Sequence, residues 1–310
     1  MENKRKMFAK FRLELKNLYP FVRNIQLCNY YHDAGEELFR EQRHIVEQNL
    51  NKYFNIIGTL QAAEIEKDWF PPVKADVFLS HSHQDEYLVI ALVGYLMEKY
   101  NIKCFVDSLI WGYADDLLKK IDDAFCMKTC KYRVFGYERK KCYYNYKLRN
   151  QSTAHVYMIL QGALAKMIDC TECLIFVNTP HSMNWSEIGE ETTTSSPWIY
   201  NELLTTCIFP PRVPERYKII KGSARDSVLL EDGHKQFLQI HYPLPIEKLV
   251  KLEIGDFLKA KANKFVEGNY DISFNRFNLT PQELLDQLYR DKNVIKPNVK
   301  VITDYNICYN

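Results

Sequence analysis

The chain has 310 residues, 46% hydrophobic and 26% charged, the balance of an ordinary globular protein able to bury a sizeable core. A formal net charge of +2 gives no bulk attraction to nucleic acid or to an anionic membrane. No apolar run approaches the roughly 20 residues that span a bilayer. The basic start MENKRKMFAKFRLELKN has no apolar signal-peptide core, so a cytoplasmic protein is expected.

Residues 1–70 read as a helical prefix, because Leu38, Ile45, Val46, Leu50, Tyr53 and Ile57 recur at helical spacing. Pro71 and Pro72 end it. The prefix is expected to pack on the main domain, 71–270, or to serve as an oligomerisation element. From Ala75 strands and helices alternate, the pattern of an α/β protein with a parallel sheet flanked by helices. Residues 75–80 are an apolar strand running into Ser80-His81-Ser82-His83. A helix over 85–100 places Leu88, Ala91, Leu92, Tyr95 and Leu96 on one face, and residues 103–107 form a second strand. Residues 108–114 read as a loop with aromatic tips, Trp111 and Tyr113, before a helix over 115–125.

Residues 126–150 carry eight Lys and Arg and five Tyr against one acid, Glu138. Basic residues interleaved with aromatics can bind nucleic acid. The rest of the chain is not basic, which favours a solvated inserted loop and no nucleic-acid partner. A narrower role is contact between some of these cations and the phosphates of a dinucleotide. A helix over 152–169 and a strand over 173–178 follow. Ser196 is a good N-cap and Pro197 a good first helical residue, so a helix starts there and Phe209-Pro210-Pro211 closes it. Residues 239–243 look like a strand and 254–266 a helix. Thr280 and Glu283 form a capping box that opens a last helix, within a C-terminal extension over 271–310.

Nine cysteines, an odd number without an export signal, disfavour a disulfide scaffold. Cys170 with Cys173, and Cys126 with Cys130, lack the second good pair that zinc needs, so no metal site is expected. In a parallel sheet, ligands bind beyond the carboxyl ends of the strands, where Ser80, His81 and Asp107 fall. Trp198 and Glu202 are four residues apart and share a helix face. An aromatic plane beside a carboxylate suits cleavage of a glycosidic bond to a planar base, with the carboxylate stabilising charge at the sugar carbon. Spacing alone fits an ordinary solvated glutamate as well. There is no G-x-S-x-G elbow, no G-x-G-x-x-G and no P-loop, which argues against a serine hydrolase, a Rossmann dehydrogenase and an NTPase.

DVFLSHS at the first strand, Trp111-Gly112 after the second strand, and the later Trp198-x-x-x-Glu202 together resemble the Toll/interleukin-1 receptor (TIR) domain family. The resemblance covers about residues 75–266, with insertions at 126–150 and 181–196. It is closest to bacterial TIR proteins of anti-phage defence, such as the TIR component of Thoeris-type systems. It implies a flavodoxin-like fold in which Glu202 is catalytic for NAD cleavage, with NAD as substrate and no cofactor. It further implies that residues 108–114 border the site and mediate assembly, and that Trp111 and Tyr113 stack on nicotinamide or adenine. Ser80 and His81 would line the nicotinamide-ribose pocket and Asp107 would lie near a ribose hydroxyl. The implied product is an ADP-ribose derivative, linear or cyclic, read by a separate effector protein. A phage protein as trigger and a homo-oligomer on activation complete the expectation. The rivals are a non-enzymatic TIR scaffold and a nucleoside-processing glycosyl transferase that ignores NAD.

Overall fold

The computed structural model describes residues 7–52, 74–134, 137–183, 193–214, 216–218, 242–267, 279–295 and 300–301. In chain order its main elements are β1 (Ala9–Glu14), α1 (Ile25–Lys52), β2 (Val77–Ser80), α2 (Glu86–Tyr100), β3 (Cys104–Val106) and α3 (Ser108–Ile121). Then come β4 (Met127–Val134), β5 (Tyr137–Tyr144), α4 (Tyr146–Cys170), β6 (Cys173–Asn178) and α5 (Pro197–Ile208). The last are β7 (Val250–Leu252), α6 (Ile254–Glu267) and α7 (Pro281–Asp291). Five strands form one all-parallel sheet in the order β7-β1-β6-β2-β3. With helices on both faces this is an α/β architecture consistent with a flavodoxin-like fold.

The sheet corrects the reading of residues 1–70 as purely helical. Counted from β2, the strands β3-β2-β6 reproduce the 2-1-3 start of a flavodoxin-like order. The next place is filled by β1, which pairs with β6 on one side and β7 on the other. Ala9, Phe11 and Leu13 are buried while Lys10, Arg12 and Glu14 are half-buried, an alternation at the strand period of two. The helical part of the prefix is α1. Its inward face is Cys28, Tyr31, Gly35 and Phe39, whereas Leu38 is exposed. The side chains of Ile45, Val46, Leu50, Tyr53 and Ile57, and residues 71 and 72, lie outside the described residues.

Each sheet face has its own core. Phe11, Leu13, Val77, Leu79, Ile175 and Val177 pack with α1, α2 and α7. Phe78, Phe105, Leu174 and Phe176 pack with α4 and α5. On the first face α1 and α2 approach closely. A Cβ at Gly94 would lie 2.0 Å from the Tyr31 carbonyl oxygen, and one at Gly35 2.3 Å from that of Ile90. Both obstacles are backbone, so the helices must separate to admit a methyl group. Gly94→Ala is expected to cost about 3 kcal/mol, the upper end for overpacking, read as a fall in the urea midpoint. A loss below about 0.5 kcal/mol, the range of neutral surface changes, would show that the two helices yield freely.

Residues 108–114, expected as a loop, are the first two turns of α3. Asp107 already has helical backbone angles, φ −71° and ψ −30°, so the chain turns straight from β3 into helix. Ile110, Tyr113, Leu117 and Ile121 carry the helical period through Gly112, whose break signal is overridden. Residues 127–134 and 137–144, expected within an inserted loop, form an antiparallel ribbon of β4 and β5. α4 begins earlier than expected because Asn145 accepts a hydrogen bond from the Leu148 amide at 3.1 Å and caps it.

Other local signals appear where their chemistry places them. Ser196 Oγ accepts from the Ile199 amide at 3.3 Å at the start of α5. The capping box opens α7, with Thr280 and Glu283 bonding each other's backbone amides. From the strand expected at 239–243, Tyr242 and Pro243 pair with Thr194 and Thr193. α7 contributes Leu284, Leu285, Leu288 and Tyr289 to the core, where Tyr289 stacks on Phe11 with ring centroids 6.0 Å apart. Cys173 is wholly buried in β6, and burial drives its thiol pKa far up, as suits a packed thiol. Among the described residues no helix is long and apolar enough to cross a membrane.

Candidate active site

Strand alternation decides which side chains meet at the carboxyl edge of the sheet. Ser80 lies two residues beyond Phe78, and Asp107 two beyond Phe105, so both continue the rows that face α4 and α5. On α5, Ile199 and Leu203 pack into that core, and Glu202 shares their inward side. Glu202 therefore comes down over the ends of β2 and β3. It is 0% exposed, with Ser80 at 0%, Asp107 at 4% and His81 at 5%. Ser80, His81 and Asp107, which the carboxyl-end rule grouped, are thus joined by Glu202 in one buried cluster.

Its electrostatics follow from that burial. Loss of water pushes the Glu202 carboxyl pKa well above the usual range, and the charge and hydrogen bonding of Asp107 push it further. The Ser80 hydroxyl draws it partly back. The two carboxyls titrate as a pair. His81 Nδ1 lies 3.3 Å from Asp107 Oδ1. Yet neither Glu202 oxygen, neither His81 ring nitrogen, nor the Ser80 or Ser108 hydroxyl completes an aligned hydrogen bond among the described residues. Each such group costs about 1–3 kcal/mol when buried unsatisfied. A concentration of them in one place marks hydrogen-bonding capacity held in reserve for something else.

Trp198 is half-buried one turn before Glu202 and packs on Tyr157, with ring centroids 5.4 Å apart. That contact ties the ring to α4 and to the core on that face of the sheet. Trp111 and Tyr113 fall on the first turns of α3, and their side chains lie outside the described residues.

A second cluster on the same edge escaped the sequence reading. Asp85, just before α2, is 4% exposed; it accepts from Thr179 Oγ1 at 2.5 Å and meets His181 Nδ1 at 2.8 Å. Thr179 is itself held in a tight turn in which its amide donates to Ser182 Oγ at 2.9 Å. The His181 side chain is 51% exposed, so the imidazole is fixed by a buried carboxylate yet reaches solvent. This is the arrangement of an oriented proton donor or acceptor. Its parts come from before α2 and after β6, and the only hint in the sequence was Thr179-x-His181 directly beyond a strand. Further along the edge, a cleft of about 390 Å3 opens at the ends of β1, β6 and β7, lined by Glu14, Lys16, Asn178, Thr179 and Lys251. The edge thus presents a buried acid pair, a histidine–aspartate pair and an open cleft with two lysines, in the order of the strands. No family model, no curated protein and no solved structure matches this chain.

Proposed function

We propose that this chain cleaves the bond between nicotinamide and ribose in NAD, with Glu202 stabilising the positive charge that develops on the sugar. The observation that carries this reading is the buried Glu202–Asp107 pair, with Ser80 and His81 beside it, at the carboxyl edge of a parallel sheet. Nicotinamide leaves as a neutral base, so the step needs little acid catalysis. What it needs is a negative charge near the anomeric carbon, and a carboxylate in a dry setting is worth most there. Burial and the neighbouring Asp107 raise the Glu202 pKa, which favours the protonated acid in the free protein. The cationic pyridinium ring of the substrate favours loss of that proton and so charges the carboxylate on binding.

The acceptor decides the product. Water adding to the sugar cation yields ADP-ribose and returns one proton to solvent, and a nucleophile within the substrate yields a cyclic isomer. Glu202 is enclosed, so entry requires a covering segment to move. α3 follows directly on Asp107, and the TIR resemblance sets residues 108–114 at the border of the site, so this is the segment whose opening, driven by self-association, would admit substrate. The TIR resemblance supports a setting in anti-phage defence, where infection triggers assembly and a separate effector reads the product.

The test is NAD loss and product identity by mass spectrometry in phage-challenged cells, for wild type and Glu202→Gln. NAD loss or an ADP-ribose derivative with wild type alone supports the reading. Equal behaviour of both proteins removes Glu202 from the mechanism. Absence of product from a self-associated wild type favours the scaffold. The same acid pair suits N-glycosidic cleavage of nucleosides, and nucleoside turnover without NAD turnover would select the glycosyl transferase.

A further inference from the structure

The ribbon of β4 and β5 segregates its side chains in a way that its composition did not reveal. Residues paired across an antiparallel ribbon share a face, and successive residues alternate. Lys128 pairs with Tyr143, Cys130 with Lys141, and Tyr132 with Arg139, and Tyr137 continues the same row. That face interleaves three cations with three tyrosines and has no acid. The single acid of the ribbon, Glu138, falls in the opposite row, paired with Arg133 and followed by Lys131, Lys140 and Tyr144. Tyr144 is occupied there, bonding Asp123 and carrying Arg149 over its ring at 5.3 Å.

On the tyrosine face Tyr132 is 42% exposed, Tyr137 76% and Tyr143 48%. Neither face packs on the sheet's two cores. The acid at the root is already engaged, since Asp122 takes Arg149 Nε at 2.9 Å and Ser152 Oγ at 2.5 Å. Lys128, Arg139 and Lys141 therefore share their face with no acid, while residues outside 126–150 are net acidic. Such a division leaves the overall charge near neutral and concentrates the positive field on one projecting element.

We propose that this face of the ribbon binds single-stranded nucleic acid. Alternate cations meet successive phosphates, and the tyrosine rings between them offer flat surfaces for unpaired bases. Residues two apart on a strand are about 6.8 Å apart, a spacing that lets bases and phosphates of an unstacked strand take neighbouring positions. A two-stranded ribbon also fits the major groove of a duplex, but stacked bases there leave the rings without partners. An acidic protein would answer the cations and leave the rings similarly unused. The proposal is independent of Glu202 and of NAD.

The full chain is titrated against fluorescent oligo-dT and oligo-rU of about 16 nucleotides, the upper site size of a single-strand platform, and against a duplex of equal length. Three phosphate contacts predict affinity for single strands falling about twentyfold between 50 and 200 mM salt. Lys128→Glu/Arg139→Glu/Lys141→Glu abolishes binding. Tyr132→Ala/Tyr143→Ala weakens it about tenfold or more through lost stacking, with the salt slope unchanged. Both variants alter exposed residues and should unfold at the wild-type temperature, which is measured alongside. No binding at low salt, equal or tighter binding of duplex, indifference to the tyrosine variant, or equal competition by polyglutamate would each overturn the proposal.

Discussion

Replacing Glu202 with Gln is expected to lower NAD turnover about a thousandfold while making the protein more stable above the ordinary carboxylate range. The first effect is the loss of a charge aimed at a developing cation in a dry site, worth about 4 kcal/mol at that fold-change. The second follows from burial. In the unfolded chain a glutamate titrates at about 4.3, whereas in the fold Glu202 holds its proton to higher pH. Between those two values the native state binds more proton than the unfolded state, so stability falls as pH rises, by at most about 1.4 kcal/mol per pH unit. Glutamine, neutral and almost the same shape, removes that loss. Urea unfolding at about pH 5 and about pH 8 should therefore show the variant gaining on wild type at the higher pH.

The same pair predicts the activity profile. kcat/KM should rise with pH through a midpoint above the usual glutamate range, and Asp107→Asn should move that midpoint down by removing the neighbouring charge. An unmoved midpoint in Asp107→Asn, or a Glu202→Gln protein with wild-type stability at both pH values, would mean that the two carboxyls do not share a proton. Buried groups that cost stability recur where activity needs them. Stability and turnover moving in opposite directions is thus a stronger result than loss of turnover alone.

What was legible in the sequence depended on how local its physical cause is. β2, α2, β6 and α5 were read correctly because an apolar run, a helical period or the Ser196-Pro197 start suffices for each. Ser80, His81 and Asp107 could be gathered at one edge because the carboxyl-end rule needs little beyond topology, whereas Glu202 joined them in the sequence reading only through the TIR resemblance. β1 was missed because its six alternating residues precede a long helical pattern and its partners lie far away, at β6 and β7. The first two turns of α3 were missed because Gly112 and the aromatics looked like a loop, while the helical angles already present at Asp107 have no signature in composition. The His181–Asp85 pair joins residues 96 apart, and only the sheet brings them together. The face of the ribbon needed the register of β4 on β5, which composition does not encode.

Arg216→Met is expected to destabilise the fold by about 3–5 kcal/mol, the cost of stranding a buried charge. Arg216 bonds both oxygens of Glu172, at 2.9 and 2.5 Å, and Asp286 Oδ1 at 2.6 Å. Burial alone would lower its pKa, but Glu172 and Asp286 outweigh that and hold the guanidinium firmly charged. Glu172 and Asp286 are 6% and 4% exposed, at the entry to β6 and within α7. Removing the cation leaves two buried acids facing each other, with Tyr217 still bonded to Asp286. The neighbouring Tyr217 is itself in the core, so the cation also fastens a piece of chain between β6 and α7. Lysine should recover less than half of the loss, because one ammonium cannot reproduce a bidentate fork and a third bond in one plane. Neutralising both acids as well, in Arg216→Met/Glu172→Gln/Asp286→Asn, should recover at least half, since the penalty comes from uncompensated charge rather than from the absent side chain. Urea unfolding of the single and triple variants decides it. A single variant within about 1 kcal/mol of wild type, the worth of an exposed pair, would mean that water reaches the acids and that α7 is held to the sheet by apolar contact alone.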